Sequence, residues 1–120
     1  MTLEFYKVVV DSRDPATLAR WWCQVLRMRV LLDSSDEVVI GRGPDAWPGL
    51  VFVPVSTSKT TKNRWHLDLN PDDHEAEVAR VTALGATPVD VGQGDAAWAV
   101  LADPEGNEFC ILATHRSLVD

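Results

Sequence analysis

The segment from Arg64 to Asn70 alternates polar and apolar residues, and its polar residue types could do chemistry. The polar members are Arg64, His66, Asp68 and Asn70. Because successive residues of a strand point to opposite faces, this spacing puts all four on one face of a predicted strand. His66 could hydrogen-bond a ligand or act as an acid or base, since histidine changes its charge near neutral pH. The alternative is a solvent-facing strand or a satisfied polar cluster, with Asp68 as a structural partner of Arg64 or His66.

A second pair of candidates, Glu108 and Cys110, shares one face of a later predicted strand by the same two-residue period. Glu108 could contact a ligand, or it could simply pair with Arg64. Free cysteines are usually buried and inert, so the leading interpretation of Cys110 is a small core residue. The alternative is a thiol nucleophile near His66, although nothing local in the sequence would activate it.

Basic residues cluster at the start of the alternating segment 64–70 and just before it, at Lys59, Lys62 and Arg64, in a chain whose formal net charge is −7. Such a local positive patch could capture a carboxylate or phosphate group of a ligand. A solvated linker or a dimer contact is an equally open interpretation of the same residues.

Five tryptophans are many for a chain of 120 residues. Trp21 and Trp22 fall on a helical apolar stripe and are predicted to lie in the core. Trp98 follows the glycine-rich segment 92–95. It is the preferred aromatic wall of a binding cavity, because such cavities are often lined by aromatic rings. Core packing is the alternative for Trp98.

Length and charge bound the class of protein. A chain of 120 residues fits one domain and can bury a core without disulfides or metals. The net charge of −7 disfavours nucleic acid and anionic membranes as partners, because both bind clustered Lys and Arg. Cys23 and Cys110 lie in no metal-binding spacing, and the first residues lack a signal-peptide pattern. We therefore expect a cytoplasmic protein without disulfides or membrane spans.

The elements that must position these residues occur in the same order twice, as one strand, one helix and three strands. Module one is assigned to residues 1–55, a polar linker to 56–63 and module two to 64–114. Asp14 and Asp72 are the predicted N-caps of the two helices, and an offset of 58 residues superimposes them. The predicted strands are 3–10, 30–32, 37–40 and 50–55, then 65–69, 87–91, 98–101 and 108–112. Helices on one side of mostly antiparallel sheets indicate an α+β class.

Three segments carry a resemblance to a known family. Residues 48–55, 59–69 and 103–112 together resemble the glyoxalase-like domain group of the vicinal-oxygen-chelate superfamily, which includes glyoxalases, bleomycin-resistance proteins and dioxygenases. The resemblance covers nearly the whole chain. It implies two βαβββ modules that form a cup-shaped, partly open barrel, with the polar strand lining the cup. It also implies a small-molecule ligand and a homodimer.

The resemblance further implies a metal site to compare with this sequence. Metal enzymes of the superfamily place His, Glu, His and Glu at one position on the first and last strand of each module. Carried over through the internal repeat, those positions fall on Val8, His66, Cys110 and, to within one residue either way, Val53. Valine side chains cannot ligate a cation, and two remaining ligands fall short of the usual three or four for zinc. We therefore expect no cofactor and no metal, with His66 as the metal ligand if a divalent ion does bind.

The leading functional hypothesis is a metal-independent small-molecule-binding protein that holds a polar organic ligand. The residues expected to contact the ligand are Arg64, His66, Asp68, Trp98, Glu108 and Cys110. The alternative is an enzyme of the glyoxalase superfamily, either a lyase or isomerase or a dioxygenase-type oxygenase. Its catalytic residues are not assigned by the sequence, and His66 is the best candidate.

Overall fold

The chain falls into two compact units, Met1–Ser58 and Lys59–Asp120, in a computed structural model that describes residues 2–90 and 98–119. Each unit contains one strand, one helix and three further strands in that order. The predicted α+β class and the repeated βαβββ arrangement are confirmed. The division between the units lies inside the predicted linker 56–63.

Unit one is a four-stranded mixed sheet with one helix. Its elements are β1 (Lys7–Ser12), α1 (Pro15–Leu26), β2 (Arg29–Asp33), β3 (Val38–Gly41) and β4 (Gly49–Pro54). The strand order is β1-β4-β3-β2, in which β1 runs parallel to β4 and the other pairs are antiparallel. The chain between β1 and its parallel neighbour β4 contains α1, β2 and β3.

Helix α1 forms where the sequence predicts it. The Asp14 carboxylate accepts a hydrogen bond from the Thr17 N–H at 3.3 Å, and Pro15 occupies the first turn, where no donor is needed. Arg27 adopts a left-handed conformation with φ 54° and ends the helix. Trp21 and Trp22 are buried, as predicted, and their rings meet edge to face at 5.1 Å. The helix packs on β2, β3 and β4, and the core of unit one lies between the helix and these strands.

Unit two repeats the plan on a smaller scale. Its elements are β5 (Asp68–Leu69), α2 (His74–Ala83), β6 (Thr87–Pro88), β7 (Ala99–Ala102) and β8 (Glu108–Ile111). The strand order is β5-β8-β7-β6, with β5 parallel to β8. The predicted turn at 103–106 is present, since the Gly106 N–H donates to the Asp103 carbonyl at 2.9 Å. None of the helices among the described residues is long and apolar enough to cross a membrane.

Several predicted boundaries were wrong, including that of the strand predicted at 87–91, which ends at Pro88. The first strand begins at Lys7 rather than Leu3, because its ladder with β4 starts at the Lys7–Gly49 pair. The strand predicted from Trp65 is paired only from Asp68 onward. Helix α2 is capped by Asp73 rather than Asp72. The Asp73 carboxylate accepts from the Ala76 N–H at 3.1 Å.

Candidate functional site

Three of the predicted site residues meet on one face of the unit-two sheet. Asp68 of β5 is paired in register with Cys110 of β8, so their side chains point to the same side. His66 precedes Asp68 by two residues. A ligand atom from each of the three lies within 4.8 Å of the other two. We refer to this group as the His66–Asp68–Cys110 cluster.

The cluster combines two accessible polar groups with a buried sulfur. The His66 Nδ1 lies 3.0 Å from Asp68 Oδ1, and the two side chains are 40 % and 50 % exposed. Cys110 is 5 % exposed. A ligand arriving from solvent would therefore meet the imidazole and the carboxylate first.

The thiol of Cys110 is held in its neutral form. Burial raises the pKa of the Cys110 thiol above its ordinary value, and the nearby Asp68 carboxylate, which accepts a hydrogen bond from it, raises the pKa further. Lys62 acts in the opposite direction, with a smaller effect. A reactive nucleophile requires the thiolate, so these surroundings favour the interpretation of Cys110 as an unreactive thiol.

The Glu108 carboxylate is hydrogen-bonded to the segment that precedes His66 in the chain. Its Oε2 accepts from Lys59 Nζ at 3.0 Å, and its Oε1 accepts from the Asn63 N–H at 3.0 Å. The side chains of Glu108 and Lys59 are only 10 % and 22 % exposed. The sequence suggested Arg64 as the ion-pair partner of Glu108, and Lys59 takes that place. Both carboxylate oxygens already have partners, which argues against Glu108 as a primary ligand contact.

These contacts predict how the stability of the protein depends on Glu108 and on pH. Burial opposes the charge, but the Asn63 N–H and the Lys59 ammonium outweigh it and hold the pKa of Glu108 below its ordinary value. A depressed carboxyl pKa stabilises the fold above the unfolded-state pKa of about 4.3 and stops doing so as pH falls through the folded-state pKa.

We expect Glu108→Gln to lower the free energy of unfolding by about 1–2 kcal/mol at pH 7, because a charge-assisted bond to a partly buried lysine is lost. The difference from the unmodified protein should shrink as pH falls below about 4. Urea denaturation at several pH values measures this, with Glu4→Gln in the exposed N-terminal segment as the control. A deficit that stayed constant down to low pH would contradict this account of Glu108.

The other two residues predicted to contact a ligand, Arg64 and Trp98, lie outside the His66–Asp68–Cys110 cluster. Arg64 is exposed, and within residues 2–90 and 98–119 it makes no ion pair. It lies in a bend before β5, so strand alternation does not fix its face. Trp98 is 45 % exposed. The glycine-rich segment expected beside it, 92–95, lies outside the described residues.

Asn70, the last polar residue of the alternating segment, has a structural role that the sequence did not reveal. Its side-chain Nδ2 donates to the Arg116 carbonyl at 2.8 Å, and its Oδ1 accepts from the Arg116 N–H at 2.9 Å. These two hydrogen bonds hold the backbone at Arg116 beside Asn70, the residue that follows β5. No local pattern in the sequence indicates it, because the partners are 46 residues apart.

The register of unit one corrects the positions assigned by the repeat. Val8 pairs with Leu50, whereas Val53 pairs with Asp11, so Val8 and Val53 point to opposite faces. Both parallel strand pairs have the same register difference, so pairing alone does not fix the repeat offset. The observed N-caps Asp14 and Asp73 give an offset of 59 residues, which makes Lys7 and Val51 the counterparts of His66 and Cys110. A lysine side chain donates hydrogen bonds without accepting any and valine has no polar atom, so the four-ligand set implied by the superfamily does not fit this chain.

The donors of unit two nevertheless make a possible metal site by themselves. The cluster offers one nitrogen, one oxygen and one sulfur. Mg²⁺ and Ca²⁺ prefer several oxygens, whereas Zn²⁺ accepts all three donor types. Asp68 is the donor that was not counted at the sequence level, although its spacing from His66 already put both on one face. The expectation that no metal binds is therefore not confirmed.

Comparisons with known proteins place this fold. Residues 7–112 match the family described as "Glyoxalase-like domain". No curated protein matches the chain. Among solved structures, the chain is 22 % identical to a glyoxalase/bleomycin resistance protein/dioxygenase family enzyme from Burkholderia phytofirmans PsJN. The TM-score is 0.71, and the match covers 91 % of this chain and 97 % of that chain.

Two further solved structures show the same fold at low identity. Fosfomycin resistance protein FosX from Mesorhizobium loti is 15 % identical with a TM-score of 0.72, and the match covers 99 % of this chain and 96 % of that chain. The trypanothione-dependent glyoxalase I of Leishmania major is 19 % identical with a TM-score of 0.70, covering 92 % and 86 %. Such identities show the fold and leave the activity open. The family match extends over most of the chain, and the protein belongs to the glyoxalase-like domain family.

Proposed function

We propose that this protein binds a small polar organic molecule on the polar face of unit two, without the four-ligand metal centre implied by the superfamily. The observation that carries the proposal is the half-exposed His66 and Asp68 pair above the buried Cys110. Paired polar groups that remain open to solvent on a sheet face can fix the orientation of a ligand. The positions of unit one that correspond to the superfamily ligands carry no metal donor.

The basic residues that precede the cluster in the chain lead us to infer an anionic ligand such as a small carboxylate. Arg64 carries an exposed guanidinium without an ion pair among the described residues, and Lys62 lies two residues earlier in the chain. Arginine recognises carboxylates through two parallel hydrogen bonds. His66 can donate a further hydrogen bond, while Asp68 holds its Nδ1 side at 3.0 Å.

We expect Arg64→Ala to weaken carboxylate binding by about tenfold or more, because a charge-assisted hydrogen bond is worth about 1.5–3 kcal/mol. Isothermal titration of metal-stripped protein with small mono- and dicarboxylates measures the affinity. Arg42→Ala, an exposed arginine of unit one, is the matched control. Binding that required an added divalent metal in every case would refute the proposal, as would equal affinity of the Arg64 and Arg42 variants.

An enzyme of the glyoxalase superfamily, a lyase or isomerase or a dioxygenase-type oxygenase, is the second candidate function. One observation favours it, since an imidazole oriented by a carboxylate at 3.0 Å is the arrangement of many general bases. Proton exchange at the carbon next to the carbonyl of a bound keto acid, followed by NMR in deuterated water, would reveal such a base. Exchange that is unchanged in His66→Gln would exclude this role for His66.

A homodimer and a cytoplasmic location complete the proposal. The resemblance supports the homodimer, and two cysteines outside any disulfide or metal spacing support the location. Sedimentation would give twice the 13.3 kDa of one chain for the dimer. A sedimenting mass of a single chain at micromolar concentration would overturn it.

A further inference from the structure

The His66–Asp68–Cys110 cluster brings together the three donor types that zinc accepts. The donors are an imidazole nitrogen, a carboxylate oxygen and a sulfur, and all lie within 4.8 Å of one another. Zinc ligands at about 2.0–2.3 Å from the ion are roughly 3.3–3.8 Å apart in a tetrahedron. The His66 to Asp68 separation of 3.0 Å is close to that spacing. The remaining difference is within the reach of side-chain rotation.

Asp68 connects the other two donors. Its carboxylate lies 3.0 Å from the His66 Nδ1 and accepts a hydrogen bond from the Cys110 thiol. Asp68 and Cys110 are directly opposite each other in a parallel strand pair, so the ladder holds their backbones in place. Two of the three donors are thus positioned by the sheet, and the third is already paired to one of them.

We propose that unit two by itself carries a three-ligand site for a borderline divalent ion such as Zn²⁺ or Co²⁺, formed by His66, Asp68 and Cys110. This differs from the superfamily centre in two respects. All its ligands come from one unit, and it includes a sulfur and Asp68, which holds no position in the four-ligand set. The inference does not rest on the proposed ligand binding, because the donors converge whichever organic molecule binds.

The donor set determines which ions fit. One carboxylate is a poor site for Mg²⁺ or Ca²⁺, which need several oxygen ligands. Thiolate and imidazole together favour Zn²⁺ and Co²⁺. Binding forms a metal–sulfur bond and breaks the S–H bond of Cys110, with the proton released to the buffer. Three protein ligands leave one position of a tetrahedral ion open.

Cobalt titration tests the site directly, because a thiolate bound to Co²⁺ gives a charge-transfer absorption in the near ultraviolet. We expect the unmodified protein to bind one Co²⁺ per chain with this absorption. Cys110→Ser should abolish the absorption. It should also weaken Zn²⁺ binding by at least about tenfold. Loss of an outer-shell partner alone already lowers metal affinity by about that factor, and Cys110 is a direct ligand. The Zn²⁺ affinity is measured by competition with a coloured chelator.

Cys23→Ser is the matched control, since Cys23 is the other free cysteine and lies in α1 of unit one. It should leave the cobalt absorption intact. Asp68→Asn is a second variant at an exposed position, where the fold tolerates change. It should weaken Zn²⁺ binding while circular dichroism remains native.

The site would be overturned by any of three results. They are the absence of stoichiometric Co²⁺ binding, retention of the absorption in Cys110→Ser, and displacement of Co²⁺ by an equal concentration of Mg²⁺. Carboxylate titration of the metal-stripped protein is a separate measurement. Failure of the metal site therefore leaves the proposed ligand binding intact, and the reverse also holds.

Discussion

Replacing Phe109 with alanine is expected to lower the free energy of unfolding by about 3–5 kcal/mol. Phe109 is 1 % exposed and lies in β8, where it pairs with Leu101 of β7. Helix α2 packs against the same strand. Removal of the ring loses its burial and leaves a cavity that a close-packed core fills only in part. Natural domains are stable by roughly 5–15 kcal/mol, so this change would remove a large part of the total.

Phe5→Ala provides the control with the same chemical change. Phe5 is 66 % exposed and precedes β1, so its truncation should alter stability by no more than about 0.5 kcal/mol. Urea denaturation followed by circular dichroism compares the two variants. Similar midpoints for both would show that Phe109 does not belong to the core of unit two. The same loss should also loosen β8, which supplies Glu108 and Cys110.

The elements of the fold could be predicted where their signals are local. Helix α1 has a capping aspartate, a proline in its first turn and an apolar stripe that contains Trp21 and Trp22. Each of these signals acts within a few residues. The cap of α2 was ambiguous because Asp72 and Asp73 are adjacent and either can cap a helix. The choice is made by where the helix docks, and His74 Nδ1 lies 2.7 Å from the Leu112 carbonyl, 38 residues away.

Strand alternation predicted which residues of the candidate site share a face within one strand. It could not predict contacts between strands. Period two put His66 and Asp68 on one face of one strand and Cys110 on a face of another. Their convergence follows only from the pairing of β5 with β8. The partner of Glu108 depends on the path of the linker, which the sequence does not determine. The repeat offset was wrong by one residue because it superimposed Asp14 on Asp72, whereas α2 is capped by Asp73. A shift of one residue changes the face of every side chain in a strand.

Asp103→Ala is expected to cost about 2–4 kcal/mol, because the turn between β7 and β8 depends on this one carboxylate. Asp103 is 4 % exposed. Its Oδ1 accepts from the N–H groups of Glu105 and Asn107 at 2.9 and 3.0 Å, and its Oδ2 accepts from Asn107 Nδ2 at 3.0 Å. Alanine would leave two backbone donors of a partly buried turn without these acceptors. Thermal and urea unfolding both measure the loss.

The variant Asp103→Asn keeps a hydrogen-bond acceptor at this position and removes the negative charge. The asparagine oxygen can still accept from Glu105 and Asn107, so this variant should lose only about 1 kcal/mol, the worth of a single ordinary hydrogen bond. Asp45→Ala, at an exposed position of unit one, should change stability by less than about 0.5 kcal/mol. Equal losses for the alanine and asparagine variants would mean that the negative charge, rather than the accepted bonds, stabilises the turn. The turn aligns Leu101 with Phe109 and Ala102 with Glu108, and the same ladder pairs Val100 with Cys110. Cys110 is also paired with Asp68 of β5, and that second pairing does not include the turn. A folded Asp103 variant should therefore be less stable and still hold Cys110 opposite Asp68.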